Sequence, residues 1–211
     1  MPFKEKLLDQ SAQIIVAIDG VAASGKGTLA KLMAKKFDLI YCQTSIFYRQ
    51  LAYDAIEAGI EDDSAKIVAL SSKPFILKKG IDLYSAAVTE ITSKIASIPE
   101  VRQNLLIPQR DFLASHTRVV MEGRDIGTVI APNADLKLFI TADVRVRAER
   151  RLSQMLENGK DIPLQDIIAS LKERDMRDST RSEAPLAKAD DAIEIDSSGV
   201  SPDEIVELLI T

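Results

Sequence analysis

Apolar positions recur along this chain at two periods, and the alternation between them lays out a fold. Short apolar runs occur at Ile14-Ile15-Val16-Ala17-Ile18, Leu39-Ile40-Tyr41-Cys42, Arg118-Val119-Val120-Met121-Glu122, Leu136-Lys137-Leu138-Phe139-Ile140 and Ala192-Ile193-Glu194-Ile195. Short runs of this kind predict strands, and the first, β-branched and bounded by Gly, a buried one. Between them apolar residues return every three or four positions. Leu29, Leu32, Met33 and Phe37 predict one helix, and Ile46, Tyr48, Leu51, Ala52, Ala55 and Ile56 a second. Residues 144–156 and 164–178 predict two more, and Ser201-Pro202 opens a terminal helix with Pro in its first turn. Strands alternating with helices predict an α/β fold, with a parallel five-stranded sheet covered by helices on both faces.

Two stretches are less regular. Residues 61–98 predict a short helix near Ser64 to Leu70. A small hairpin follows, with Pro74-Phe75-Ile76-Leu77 and Ile81-Asp82-Leu83-Tyr84 as arms around Lys78-Lys79-Gly80. Helices from about Ala86 to Ile98 and from Val101 to Ser115 come next, separated by Pro99. Residues 1–13, with Lys4, Glu5, Lys6 and Asp9, read as a solvated lead-in without the makings of a secretory signal.

Chemistry enters at Gly20-Val21-Ala22-Ala23-Ser24-Gly25-Lys26-Gly27-Thr28, which joins the first strand to the first long helix. A Gly-rich turn with an exposed lysine is the bland reading. The strand before and the helix after supply the context of a phosphate-binding loop: backbone N–H groups point inward, the helix dipole stands behind them, and Lys26 reaches the outer phosphates of a triphosphate. The usual pattern sets Ser or Thr directly after the lysine to hold Mg²⁺, whereas Gly27 stands here and Thr28 comes one later. The metal is therefore expected to be held mainly by phosphate oxygens and water.

Further candidates lie at strand ends and helix faces. Gln43-Thr44-Ser45 would cap the second helix, and Arg49 one turn in reads by itself equally well as a solvated charge. Gly123-Arg124-Asp125-Ile126-Gly127-Thr128 follows a strand, at the carboxyl edge where open α/β sheets bind ligands. Arg147, Arg150 and Arg151 cluster on roughly one side of their helix. Arg174, Arg177 and Arg181 share a face of theirs if that helix persists to 181. That stripe is either a salt-bridged solvent face with Glu173, Asp175 and Asp178 or an anion site; three arginines on one stripe favour the anion site.

Composition narrows the partners. The 211 residues fit one domain, and the net charge of −5 argues against coating nucleic acid or an anionic membrane. An anionic substrate must therefore meet local clusters of positive charge. No apolar run approaches membrane-spanning length, and the protein is expected to be cytoplasmic and monomeric. Cys42 is the only cysteine and His116 the only histidine, which excludes an internal disulfide and a zinc cluster; Cys42 reads as a small buried hydrophobe.

Taken together these stretches resemble the nucleoside monophosphate kinases, and most closely the bacterial cytidylate kinase family. The resemblance rests on Gly20 to Thr28, Tyr48-Arg49, Pro99-Glu100-Val101-Arg102, Gly123 to Val129, and Lys172 to Asp178 followed by Arg181 and Ala184-Pro185-Leu186, and it spans nearly the whole chain in order. It implies a P-loop kinase core (14–60, 99–150 and 190–211), a small monophosphate-binding insert at about 61–98 and a lid at about 151–189. It implies transfer of a phosphoryl group from ATP, with Mg²⁺, to CMP and dCMP. Kinases acting on UMP or AMP, and a nucleotide-binding switch without an acceptor, are the rivals; the switch has no use for a second arginine-rich pocket.

By the same resemblance Gly20 to Thr28 with Arg150 and Arg151 hold ATP. Thr44, Arg49, Ser93, Arg102, Arg124, Asp125, Arg174, Asp178 and Arg181 surround the monophosphate, and Lys26, Arg174, Arg177 and Asp125 carry the chemistry. Arg49, Arg102 and Arg174 suit a phosphate dianion, Asp125 can accept from the cytosine amine, and Ser93 with Arg102 or Arg124 can donate to the ring. Gln43-Thr44-Ser45 departs from the family's Asp-Ser-Gly or Asp-Thr-Gly, and Ala23 from its usual glycine.

Overall fold

A computed structural model describes residues 2–157, 159 and 161–211. Its sheet has the order β2-β3-β1-β4-β5, with β1 at Ile14–Gly20, β2 at Ile40–Gln43, β3 at Arg118–Glu122, β4 at Leu136–Thr141 and β5 at Ile193–Asp196. Every pairing is parallel. Ile18 sits opposite Glu122, and Gln43 opposite the same Glu122, so the chain leaves β1, β2 and β3 at one edge of the sheet. Three loops are thereby brought side by side.

Period-two alternation decides which helices lie on which face. Val16 and Ile18 point with Val120, Leu138 and Ile140 toward α2 (Lys26–Phe37) and α9 (Pro202–Ile210), where Leu29, Met33, Ile205 and Val206 complete a buried cluster. Ala17, Val119 and Met121 face the other way. They pack under α3 (Ser45–Glu57), α4 (Ser64–Ser71), α5 (Ala86–Ile95) and α6 (Pro99–Ala114), against Phe47, Leu51, Ile91, Val101 and Leu105. A third, small cluster joins α7 (Val144–Glu157) to α8 (Leu164–Thr180) through Ala148, Ile167 and Leu171, and Ala22 of the loop after β1 belongs to it. The α7–α8 pair is thus anchored on that loop. Among the described residues no helix is long and apolar enough to cross a membrane.

Two expectations fail. Residues 74–85 contain no strand, so the expected hairpin is absent. Two short arms would be marginal without further partners, and α3 supplies alternative ones. Gln50 Oε1 accepts from Lys78 N (2.9 Å), Arg49 donates to the Leu83 carbonyl, and Phe75 packs on Phe47 with ring centroids 4.6 Å apart.

The lead-in is not solvated either. Residues Phe3–Leu8 form α1, with Leu7 buried in the α2–α9 cluster. Arg118, only 8% exposed, holds it there, donating to the carbonyls of Lys6, Leu7, Asp9 and Ala12 and, from the end of α2, of Phe37 and Asp38. A cation placed on two helix C-termini also meets their dipoles favourably. Arg118→Met keeps the stem but strands those carbonyls. It should cost about 3 kcal/mol and lower the melting temperature by roughly 6–12 °C; calorimetry showing a loss below about 2 °C would contradict the clamp.

Candidate active site

The loop after β1 closes around its own lysine. Lys26, 5% exposed, donates to the Val21 carbonyl (2.6 Å) and lies 3.4 Å from Ser24 Oγ. Burial and the nearby Arg124 guanidinium push its pKa well down. Two loop residues take the left-handed region, Ala23 (φ 58°) and Gly25 (φ 89°). Gly25 does so without cost, while Ala23 carries local strain where glycine would not.

At Gly27 a Cβ would come within 3.1 Å of Glu122 Oε1. That carboxylate, at the end of β3, also accepts from the Tyr41 hydroxyl (2.8 Å). Glu122 therefore stands on the side of the loop where a Ser or Thr at 27 would project. Among the described residues no group of three or more His, Cys, Asp and Glu side chains is arranged to hold a metal ion.

A cleft of about 850 Å³ opens above this edge, lined from Ala23 through Thr28 and by Thr44, Arg49, Ser93, Arg102, Arg124 and Asp125. The α7–α8 pair adds Arg150, Arg151, Arg174, Arg177 and Asp178, and the chain just beyond α8 adds Arg181. Gly20, Val21 and Ala22 do not line it. Gly20 ends β1 under the Ile140 backbone, where a Cβ would clash, and Ala22 bonds to the α7–α8 pair, its N–H donating to Asp175 and its carbonyl accepting from Arg147.

On the far side of the cleft Arg102 and Asp125 form a buried ion pair, Nη2 to Oδ2 2.6 Å, though 23 residues apart. Arg102 also donates to the Ala96 carbonyl and lies over the Tyr48 ring. Burial alone would lower its pKa; Tyr48 and Asp125 together raise it. Arg181 approaches Asp125 at 3.8 Å, and Arg124 binds Asp178 at 2.8 Å. Burial would raise the Asp178 pKa, yet Arg124 and then Arg174 hold it below the ordinary value.

Arg181 reaches this cluster by leaving the helix. The helix ends at Thr180, Arg181 is extended (φ −62°, ψ 146°), and its guanidinium turns back onto the Ala184 carbonyl, so the expected three-arginine stripe ends at Arg177. Thr44 likewise departs from its expected capping role. Its hydroxyl donates to the Glu122 carbonyl (2.9 Å), pinning the β2–α3 loop to β3.

The cations of the cleft repel one another. The Arg174 pKa is lowered to about 10, by burial first and then by Arg124, with Arg49 and Arg151 adding to it. Burial also lowers Arg49. Several positive groups that destabilise each other around one cavity are the signature of a site completed by an anion. Arg49 Nε and Arg102 Nε are buried without a partner. Other arginines of α7 and α8 are placed differently: Arg150 donates to Ser197, Arg151 to Gln154, and Arg177, with 45% of its side chain exposed, lies 3.7 Å from Glu173.

Several residues of the site carry no local signal. Asp19, buried in β1, accepts from Ile126 N (2.8 Å) and Gly127 N (2.7 Å), tying the lysine loop's strand to the turn that carries Asp125. Burial raises its pKa to about 6 against those two N–H groups. Arg147, grouped with Arg150 and Arg151 by spacing, is a buried clamp on Asp175 (2.6 Å) and Ala22. Glu122, Tyr41 and Tyr84 also reach the cleft. A carboxylate ending a strand beside the loop was the one visible cue to Glu122.

Residues 16–211 match the family model described as cytidylate kinase. Curated relatives named cytidylate kinase include one from Rickettsia felis, 47% identical over 204 residues covering 97% of this chain and 93% of that protein. Another, from Rickettsia canadensis, is 45% identical over 207 residues, 98% of this chain and 95% of that protein. Among solved structures, an uncharacterised protein from Eubacterium ventriosum superposes with a TM-score of 0.52 at 16% identity, covering 94% of this chain and 96% of that one, a likeness of fold alone.

Proposed function

The chain belongs to the cytidylate kinase family, and from that premise we propose that it transfers the γ-phosphoryl group of ATP directly to CMP and dCMP in the cleft between the lysine loop and the Arg102–Asp125 pair. The observation carrying the reading is that pair. A carboxylate offers about four acceptor sites, of which Arg102 takes one, so Asp125 retains room for the exocyclic amine of cytosine while Arg102 or Arg124, with Ser93, donates to the ring. Uracil would turn a carbonyl toward Asp125, so the acceptor sites that Arg102 does not use would face another acceptor and lack a donor.

Phosphoryl transfer asks for alignment and charge dispersal, and no nucleophile of the protein's own is required. The unpartnered Nε of Arg49 and the crowded guanidinium of Arg174 would take oxygens of the acceptor phosphate. Lys26 and the amides of Ser24 to Thr28 would hold the outer donor phosphates at the start of α2. Burial disfavours the charge on Lys26, and donor phosphates beside it would favour that charge again, where it would act on the group in transit with little screening by water. Arg150, Arg151, Arg174 and Arg177, on the α7–α8 pair, would close over the reacting oxygens and exclude water.

Magnesium, held mainly by phosphate oxygens and water, would supply charge neutralisation at the donor phosphates. Glu122 and Thr28, which both line the cleft, are residues of this chain that would face it.

A coupled assay with ATP and Mg²⁺ across CMP, dCMP, UMP and AMP tests the proposal. CMP and dCMP should be turned over at least tenfold better than the other two. Equal rates with UMP, or ATP binding with no acceptor used, would overturn it.

A further inference from the structure

Tyr84 lies outside the motifs that carry the family resemblance, yet two long-range contacts converge on it and a third on its neighbour Leu83. Its hydroxyl donates to Gln43 Oε1 at 2.9 Å, although the residues are 41 positions apart. Its ring stacks on Arg49, whose guanidinium carbon lies 4.5 Å from the ring centroid. Its neighbour Leu83 accepts through its carbonyl from Arg49 Nη1 (2.8 Å), which also reaches Thr89 Oγ1 (3.1 Å). Tyr84 nevertheless remains 57% exposed, so burial of apolar surface does not explain its placement.

The contacts divide the guanidinium into two edges. Nη1 is fully engaged with the insert, the ring covers one face, and Nε is left buried with no partner. An arginine so held has lost most of its rotamer freedom, while its buried Nε still lacks an acceptor that a phosphate oxygen could supply. Gln43 suits the other end of the bridge. It stands opposite Glu122 in the β2–β3 register, and a neutral amide there accepts the phenol without setting a second anion beside that carboxylate and the arriving phosphates.

We propose that Tyr84 is a positioning residue of the acceptor site. It latches residues 82–89 to the end of β2 through Gln43 and holds Arg49 with its Nε edge turned to the phosphate of the nucleoside monophosphate. The inference rests on the acceptor assignment above. It adds that fixation of Arg49 depends on a Tyr84–Gln43 bridge and not on an ion pair.

Steady-state kinetics and CMP calorimetry on the full-length chain test this with Tyr84→Phe, Tyr84→Ala, Gln43→Ala and the Tyr84→Phe, Gln43→Ala double variant. Tyr84→Phe and Gln43→Ala should each raise the KM and Kd for CMP about fivefold, and Tyr84→Ala, which also removes the stack, about thirtyfold. KM for ATP should stay within twofold and the melting temperature within about 2 °C, since Tyr84 is exposed. The double variant should match either single one, because both delete the same bond. CMP alone should slow amide exchange across residues 82–90 more than an ATP analogue does.

A Tyr84→Ala enzyme whose CMP affinity is within twofold of the parent overturns the proposal. So do equal losses for ATP and CMP, additive single effects, or stronger protection of 82–90 by the ATP analogue. A parent protein that phosphorylates no CMP would instead overturn the acceptor assignment, and that failure is visible without any variant.

Discussion

Lys26→Ala should lower kcat by about a thousandfold while leaving CMP affinity within twofold. The lysine sits at the start of α2, where the proposal sets the donor phosphates, and the Arg102–Asp125 pair, which the proposal gives to the acceptor, lines the same cleft. An ammonium desolvated this far acts most strongly on charge that develops during transfer, so its loss appears in kcat more than in binding of the acceptor. Stability should move the other way. A lysine whose folded pKa lies below its unfolded value opposes folding in its charged form, so at pH 7, where the unfolded chain carries that charge, the alanine variant should melt no lower than the parent. Turnover within threefold of the parent would remove the phosphate-loop assignment. Unchanged kcat with weakened CMP would place Lys26 on the wrong substrate.

Asp125→Ala should weaken CMP about a hundredfold and ATP less than threefold, and should narrow the preference for CMP over UMP. It also leaves Arg102 buried without its partner, so about 3 kcal/mol of stability should be lost with it. Asp125→Asn separates these consequences. Its shape is retained, its oxygen still accepts from Arg102, and its amide donates where the carboxylate accepted, so UMP should gain relative to CMP while most of the stability returns. Calorimetry with the two nucleotides checks both variants. If the melting temperature falls while the CMP to UMP ratio stays constant, Asp125 serves only as a structural partner of Arg102.

Much of the scaffold was legible before any coordinates. The five apolar runs became the five strands, within a residue or two; the central β1, β3 and β4 are buried along most of their length, which is what a short continuous apolar segment in a doubly covered sheet requires. The loop from Gly20 to Thr28 was legible for a similar reason: glycines, a lysine and the helix after them are consecutive, so their geometry follows from the backbone alone. Arg49, Arg124 and Asp125 were reachable through their neighbours in sequence, and all three line the cleft.

What escaped is what depends on register. Residues 74–85 satisfy their polar groups on Gln50, Arg49 and Asp82, and no pattern in that stretch announces partners on another helix. Residues 1–13 look solvated because their tie, Arg118, lies more than a hundred positions away. Arg181 leaves its helix because its guanidinium turns back onto Ala184, a bond that periodicity would forbid.

The sequence by itself therefore determined the five strands and the long helices between them, that they build a layered parallel sheet, and which loop joins glycines and a lysine to the first long helix, since each follows from residues close along the chain. Only the tertiary structure decided that Asp125 faces Arg102, that Glu122 fills the space beside Gly27, and that Tyr84 reaches Gln43. Those pairings are set by the β2–β3–β1 register and by where the helices cross the sheet, and a one-residue slip in either would exchange every partner.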